Sequence, residues 1–139
     1  MVNFMAGAKG EGKTRKLIEM ANNHAKTADG HLVLIDDDKR HIFDLHRDIR
    51  FVEAGKGDLD NYREFLGFVR GILSQNSDIE HIYVDGINNI VPESSINNET
   101  LLKLNTRLDA LSKAEHVDFT ICMNYNRDSL PEEIKAALI

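Results

Sequence analysis

The chain has 139 residues, 42% of them apolar and 29% charged, with a net charge of −6 and one cysteine. That length supports a single domain, residues 1–139, with a proper core, and the composition is that of an ordinary soluble globular protein. No apolar run approaches the roughly 20 residues that cross a bilayer, and the acidic balance argues against a general nucleic-acid surface.

Cys122 lies in an apolar run and reads as a small buried residue, a usage that suits a reducing cytoplasm. The expectation is a cytoplasmic chain with no membrane segment and no signal peptide ahead of its first strand.

Val2-Asn3-Phe4-Met5-Ala6 is an apolar stretch of strand length, followed by Gly7-Ala8-Lys9-Gly10-Glu11-Gly12-Lys13-Thr14. That octet fits G-x-x-x-x-G-K-[ST], and each part has a physical job. Gly7, Gly10 and Gly12 lack a Cβ, so the backbone can turn its amides inward, those of Ala8, Lys9 and Glu11 included, as an anion cradle. The helix that follows adds the positive end of its dipole, and the amide of Arg15 is placed to reach an α-phosphate. Lys13 supplies a compact charge for the β- and γ-phosphates, and the Thr14 hydroxyl is a ligand for Mg²⁺. The expected ligand is a nucleoside triphosphate, ATP, with Mg²⁺.

Residues 14–28 carry Leu17, Ile18, Ala21, Ala25 and Ala28 at helical spacing, before Asp29-Gly30 ends the run. His31-Leu32-Val33-Leu34-Ile35 is nearly continuous in apolar character, as in strands buried on both faces, and runs into Asp36-Asp37-Asp38. Residues 41–47 predict a short helix, and residues 49–54 a strand closed by Gly55-Lys56-Gly57. Leu59, Tyr62, Phe65, Leu66, Val69, Ile72 and Leu73 follow the helical period, with Asp58 as N-cap. Residues 80–87 form the next buried strand and residues 88–97 a polar loop. A helix is expected over 98–114, with Leu101, Leu104, Leu108 and Leu111 on one stripe. Residues 117–123 are the last strand, and Ser129-Leu130-Pro131-Glu132-Glu133 carries the Ser cap and early Pro of a helix start. This alternation predicts an α/β protein in three layers, α/β/α, around a mostly parallel sheet of about five strands.

Asp85 ends the hydrophobic strand Ile82-Tyr83-Val84 and is the candidate metal carboxylate, with Thr14 as the other protein ligand. The alternative is a turn aspartate in Asp-Gly. Position 86, where many ATPases place a Glu to activate water, holds Gly86; Asn88 or Asn89 can orient a water but cannot take its proton. Asp36, Asp37 and Asp38 should share the loop's sheet edge, either as acid–base or metal-associated groups or as a solvated turn. Asn124 ends the last strand, where a polar residue can touch a γ-phosphate, and Arg127 is placed to act in cis or on a neighbouring copy. Lys9 is expected to be solvated. The six histidines lack metal spacing, so neither a zinc site nor covalent catalysis is expected.

At residues 7–14 and 82–86 the chain resembles the P-loop NTPase superfamily, and its element order with a polar Asn124 after a late strand is similar to the RecA-like, additional-strand division. In that division a further strand lies between the loop strand and the Walker B strand. Gly12-Lys13-Thr14-Arg15-Lys16-Leu17-Ile18-Glu19-Met20-Ala21, with the later strand from Gly30 to Leu34, is similar to the opening of type II thymidine kinases. Those continue with a Walker B Asp-Glu and a four-cysteine zinc lasso, neither of which is present here. The chain also looks like small bacterial ATP-binding proteins labelled as pilus-retraction or twitching-motility ATPases. The resemblance implies a P-loop NTPase fold, ATP and Mg²⁺ as cofactors, and Lys13, Asp85 and Asn124 as the catalytic set.

The preferred expectation is an ATP-binding protein with slow Mg²⁺-dependent hydrolysis or nucleotide-dependent switching, whose site self-association or a partner protein completes. One alternative is a small-molecule or nucleoside kinase with an aspartate from 36–38 as base; it lacks the Arg-rich lid that excludes water. The other is a regulatory subunit that binds nucleotide without turning it over. No guanine-reading Asn-Lys-x-Asp motif occurs.

Overall fold

The computed structural model describes residues 1–55 and 57–139. Lys56, the middle of the predicted Gly55-Lys56-Gly57 turn, lies outside the described residues. Five strands, β1 (Val2–Gly7), β2 (His31–Asp36), β3 (Ile49–Glu53), β4 (Ile79–Val84) and β5 (Asp118–Asn124), form one sheet in the order β1-β5-β4-β2-β3. Every pairing is parallel, so all five strands end at the same edge. β5 runs between β1 and β4 and sets Asn124 beside Gly7. The outer edge of β1 is covered at Phe4, which donates to the Ala137 carbonyl and accepts from the Ile139 amide.

The helices are α1 (Lys13–Ala25), α2 (Tyr62–Gln75), α3 (Ile87–Ile90), α4 (Asn98–Glu115) and α5 (Glu132–Lys135). Strand side chains alternate between the two faces of the sheet. Phe4, Val33, Ile35, Ile82, Val84, Phe119 and Ile121 pack with Phe65, Leu66 and Val69 of α2 and Leu101, Leu104 and Leu108 of α4. Met5, Leu32, Leu34, Tyr83 and Cys122 pack on the opposite face with Leu17, Ile18 and Ala21 of α1. The result is an α/β protein with helices on both sides of an all-parallel sheet. No described helix is long and apolar enough to cross a membrane.

Several boundaries differ from the sequence expectation for local reasons. α2 starts at Tyr62, capped by Asn61, whose side chain accepts from the Glu64 amide at 3.0 Å; Asp58 sits upstream in a turn closed on the Gly55 carbonyl. The expected helix over 41–47 is a three-residue 3-10 turn, Ile42–Asp44, ended by extended Leu45, and the His46 amide is drawn to the Asn22 side chain. The expected polar loop over 88–97 contains α3 and a 3-10 turn, Glu93–Ser95, because Ile87, Ile90, Val91 and Ile96 are apolar anchors buried in the core. α4 begins with a reciprocal cap between Asn97 and Thr100 and ends on left-handed His116. α5 is capped at Pro131, and Ser129 closes the preceding 3-10 turn, Arg127–Ser129.

The far end of α1 is tied to the sheet by polar rings. His24 Nε2 donates to Glu80 at 3.2 Å, leaving Nδ1 to accept from the Tyr83 hydroxyl at 2.9 Å. His81 stacks on Tyr83 with ring centroids 4.1 Å apart and shares a 2.8 Å hydrogen bond with Thr120 Oγ1. Burial, reinforced by the neighbouring His24, pushes the His81 imidazole down to about 4 from its ordinary 6.5. Between those values the unfolded chain binds more protons, so this contribution is complete above pH 6.5 and is lost as pH falls towards 4. The double variant His81→Phe/Thr120→Val removes the titrating ring together with the buried hydroxyl it would orphan. Urea unfolding is expected to show that it loses about 2 kcal/mol less stability than the parent between about pH 7 and about pH 4.5. Equal losses would remove His81 as the acid-sensitive group.

Candidate functional site

The site grows from the turn that carries β1 into α1. Gly10 and Gly12 hold φ values of 87° and 81°, a left-handed backbone that other residues adopt only under strain. Gly12 is the N-cap of α1 and makes no side-chain cap hydrogen bond, and the first turn holds no acidic residue. The helix ladder opens with the Lys16 amide on the Gly12 carbonyl. Amides at positions 13–15 precede that bond and belong to the donors that an α-helix leaves without an internal partner. The positive end of α1 is thus directed at the loop with no acidic residue of its own first turn to offset it.

Lys13 folds across the turn, its Nζ donating to the Gly7 carbonyl at 3.2 Å and the Ala8 carbonyl at 2.6 Å. Thr14 Oγ1 donates to Asp85 Oδ1 at 3.2 Å, joining the start of α1 to the end of β4 across 71 positions of sequence. Asp85 is 7% exposed and continues the ladder through its amide on Ile35. Burial raises its carboxyl above the ordinary carboxylate range, while the Thr14 hydroxyl and Cys122 thiol hydrogen bonds pull it back. Cys122 itself is pushed up to about 12, by burial first and the adjacent Asp85 second, so it remains a thiol. Gly86 turns the chain into α3 at φ 64°.

Asp36, at the end of β2, is 4% exposed and is not a solvated turn residue. It accepts from the Asp37 amide at 2.7 Å. Burial, the Asp37 side chain and the charge of Asp85 together push its carboxyl up to about 8 from 3.8. Asp37 and Asp38 are half-buried, and carboxylate oxygens of the three lie within 4.8 Å of one another. Asp38 is held by Arg40 through a 2.9 Å ion pair and a backbone bond, which lowers its carboxyl.

These groups share a cavity of about 520 Å³ at the strand-end edge, with Lys9, Gly10, Gly12, Lys13, Thr14, Asp36, Asp85 and Asn124 among its walls. That edge is where open parallel α/β sheets hold ligands. Exposed Lys9 stands at its mouth. Gly7, Ala8, Glu11, Asn124 and Arg127 line a second hollow of about 610 Å³ on the other side of the loop. Arg127 faces that hollow, within 3.5 Å of the Ala6 carbonyl, and does not line the cavity that holds Lys13 and Asp85. The Arg15 side chain is exposed on α1 and lines neither. Asn88 is spent on the Asn124 amide, which donates to its Oδ1 at 2.8 Å, whereas Asn89 lines the cavity.

Arg40, His41 and Cys122 also line the cavity and are not part of the sequence-based site. Only the Cys122 thiol had a usable signal, its place two residues before Asn124 on the same strand. No protein-family model matches the chain, and no curated protein matches it.

The raised Asp36 carboxyl has a measurable consequence. Above its unfolded value of 3.8 the folded site keeps a proton that the unfolded chain releases, so this group destabilises the fold increasingly as pH rises towards 8. Asp36→Asn is expected to stabilise the ligand-free protein by about 1–3 kcal/mol near pH 8, with the gain vanishing below about pH 4. Chemical denaturation across that range measures it, and a gain independent of pH would remove the ionisation argument.

Proposed function

We propose that the chain is a cytoplasmic P-loop protein that binds ATP with Mg²⁺ and hydrolyses it slowly or uses it as a switch. The observation that carries this reading is the 3.2 Å bond between Thr14 and Asp85 in a cavity that Lys13 also lines. A hydroxyl and a carboxylate are hard oxygen donors of the kind Mg²⁺ takes, and the cation would offset the repulsion between Asp85 and Asp36. Loop amides at residues 8–15 and the positive end of α1 suit the phosphates, and Lys13 neutralises their charge by leaving its two loop carbonyls. The place of β5 between β1 and β4 supports a RecA-like, additional-strand arrangement, and it sets Asn124 beside the loop as a candidate sensor of the γ-phosphate.

Slow turnover follows from the chemistry of the walls. Gly86 offers no base, and Asn89 can only orient a water. Asp36 holds its proton near neutral pH while the site is empty, so it is a poor acceptor in that state. Arg40 and His41 also line the cavity, and a second copy or a partner protein would complete it. A small-molecule kinase is the second reading, favoured by the burial of Asp36 on the wall shared with Lys13.

Incubation with γ-labelled ATP and Mg²⁺ separates these readings: free phosphate supports hydrolysis, a labelled small molecule supports a kinase, and retained intact ATP supports a regulatory subunit. Lys13→Ala is expected to weaken ATP binding at least tenfold, about 1.4 kcal/mol, by calorimetry; unchanged affinity would sink the phosphate role. Asp85→Asn is expected to weaken binding in Mg²⁺ more than in chelator, and equal effects in both would refute the metal assignment.

A further inference from the structure

Away from the loop, α2 and α4 lie against each other on the opposite face of the sheet from α1 and leave a groove of about 300 Å³ between them. Its lining is Tyr62 and Arg63 from α2 and Leu102, Lys103, Thr106 and Arg107 from α4. Three of those six are cations and none is an acid, in a chain whose net charge is −6. Lys103 pairs with Glu99 at 3.0 Å along its own helix. Arg63 and Arg107 form no ion pair among the described residues. Arg63 reaches the Tyr62 hydroxyl at 3.5 Å and, with Lys103 and Arg107 adding their charge, holds that phenol below its ordinary range. The buried body of Tyr62 and the half-buried Leu102 give the groove an apolar floor under this rim.

We propose that this groove docks an acidic protein segment, with carboxylates on Arg63 and Arg107 and an apolar side chain over Leu102. Charge complementarity selects the occupant. Two unpaired guanidinium forks suit carboxylates held bidentately, and the apolar floor rewards a side chain that a phosphate chain lacks. A nucleic acid needs a run of phosphate contacts, and beyond this short groove it would meet a net-acidic surface. The proposal does not depend on nucleotide binding.

The test is a titration of the isotope-labelled full chain, followed by amide nitrogen–proton NMR spectra, with the end-capped peptide EELEEL. Shifts confined to residues 62–66 and 99–107 are expected, with affinity falling at least tenfold in the double variant Arg63→Glu/Arg107→Glu and on raising salt from about 50 mM to about 500 mM. The neutral peptide QQLQQL should leave the groove unshifted. Arg63→Gln/Arg107→Gln makes the smaller charge change and should lose affinity in the same direction if reversal disturbs the fold. Absent or scattered shifts, or equal binding by both double variants and the parent, would overturn the proposal. So would an oligothymidylate that shifts the same amides at lower concentration, which would make the groove a nucleic-acid contact.

Discussion

The arrangement depends on one electrostatic constraint: two carboxylates, Asp36 and Asp85, are buried next to each other where β2 and β4 end. Parallel pairing puts them there, because β4 pairs with β2 and both strands finish at one edge. Neither has a cation as its direct hydrogen-bond partner. Asp85 is held by a hydroxyl and a thiol, and Asp36 by the Asp37 amide. Burying such groups without an opposite charge costs free energy, and the raised carboxyl of each is the form that cost takes. A fold selected for stability alone has no use for the pair.

The turn from β1 to α1 stands opposite this negative wall. Its glycines open the loop, no side chain caps its helix, and its lysine rests on two carbonyls. One side of the site thus offers helix-end amides and an ammonium, and the other two buried carboxyls. An anion against the loop and a cation against Asp85 would complement both sides, and the proposed metal–nucleotide reading rests on that complementarity. The β5 strand contributes to both halves, through Asn124 beside Gly7 and Cys122 against Asp85.

The distal end of α1 is anchored by a different chemistry. The His24, Glu80, His81 and Tyr83 cluster holds the helix to β4 with its rings and hydrogen bonds. The same helix therefore begins at the candidate site and ends in an acid-sensitive contact. Nothing in the spacing of those residues announces it: positions 24 and 80–83 lie on separate elements, and only the packing of α1 across β4 brings them together.

Local information determined much of this protein. The loop motif, the alternation of apolar strands with periodic helices, and the polar residues at strand ends are short-range patterns, and α1, α2, α4 and the five strands appear within a few residues of where those patterns put them. One difference is local, since Asn61 rather than Asp58 caps α2; the others fell where a distant partner decides, as the 41–47 segment yields to an Asn22 side chain and residues 87–96 are buried rather than looped. Only the tertiary structure decided that Asp36 is buried against Asp85, that Arg127 and Lys13 line separate cavities, and that Arg63 and Arg107 meet over one groove. The reason is physical: caps and periodicity are written in neighbouring residues, whereas desolvation and charge–charge distance depend on which strands become neighbours.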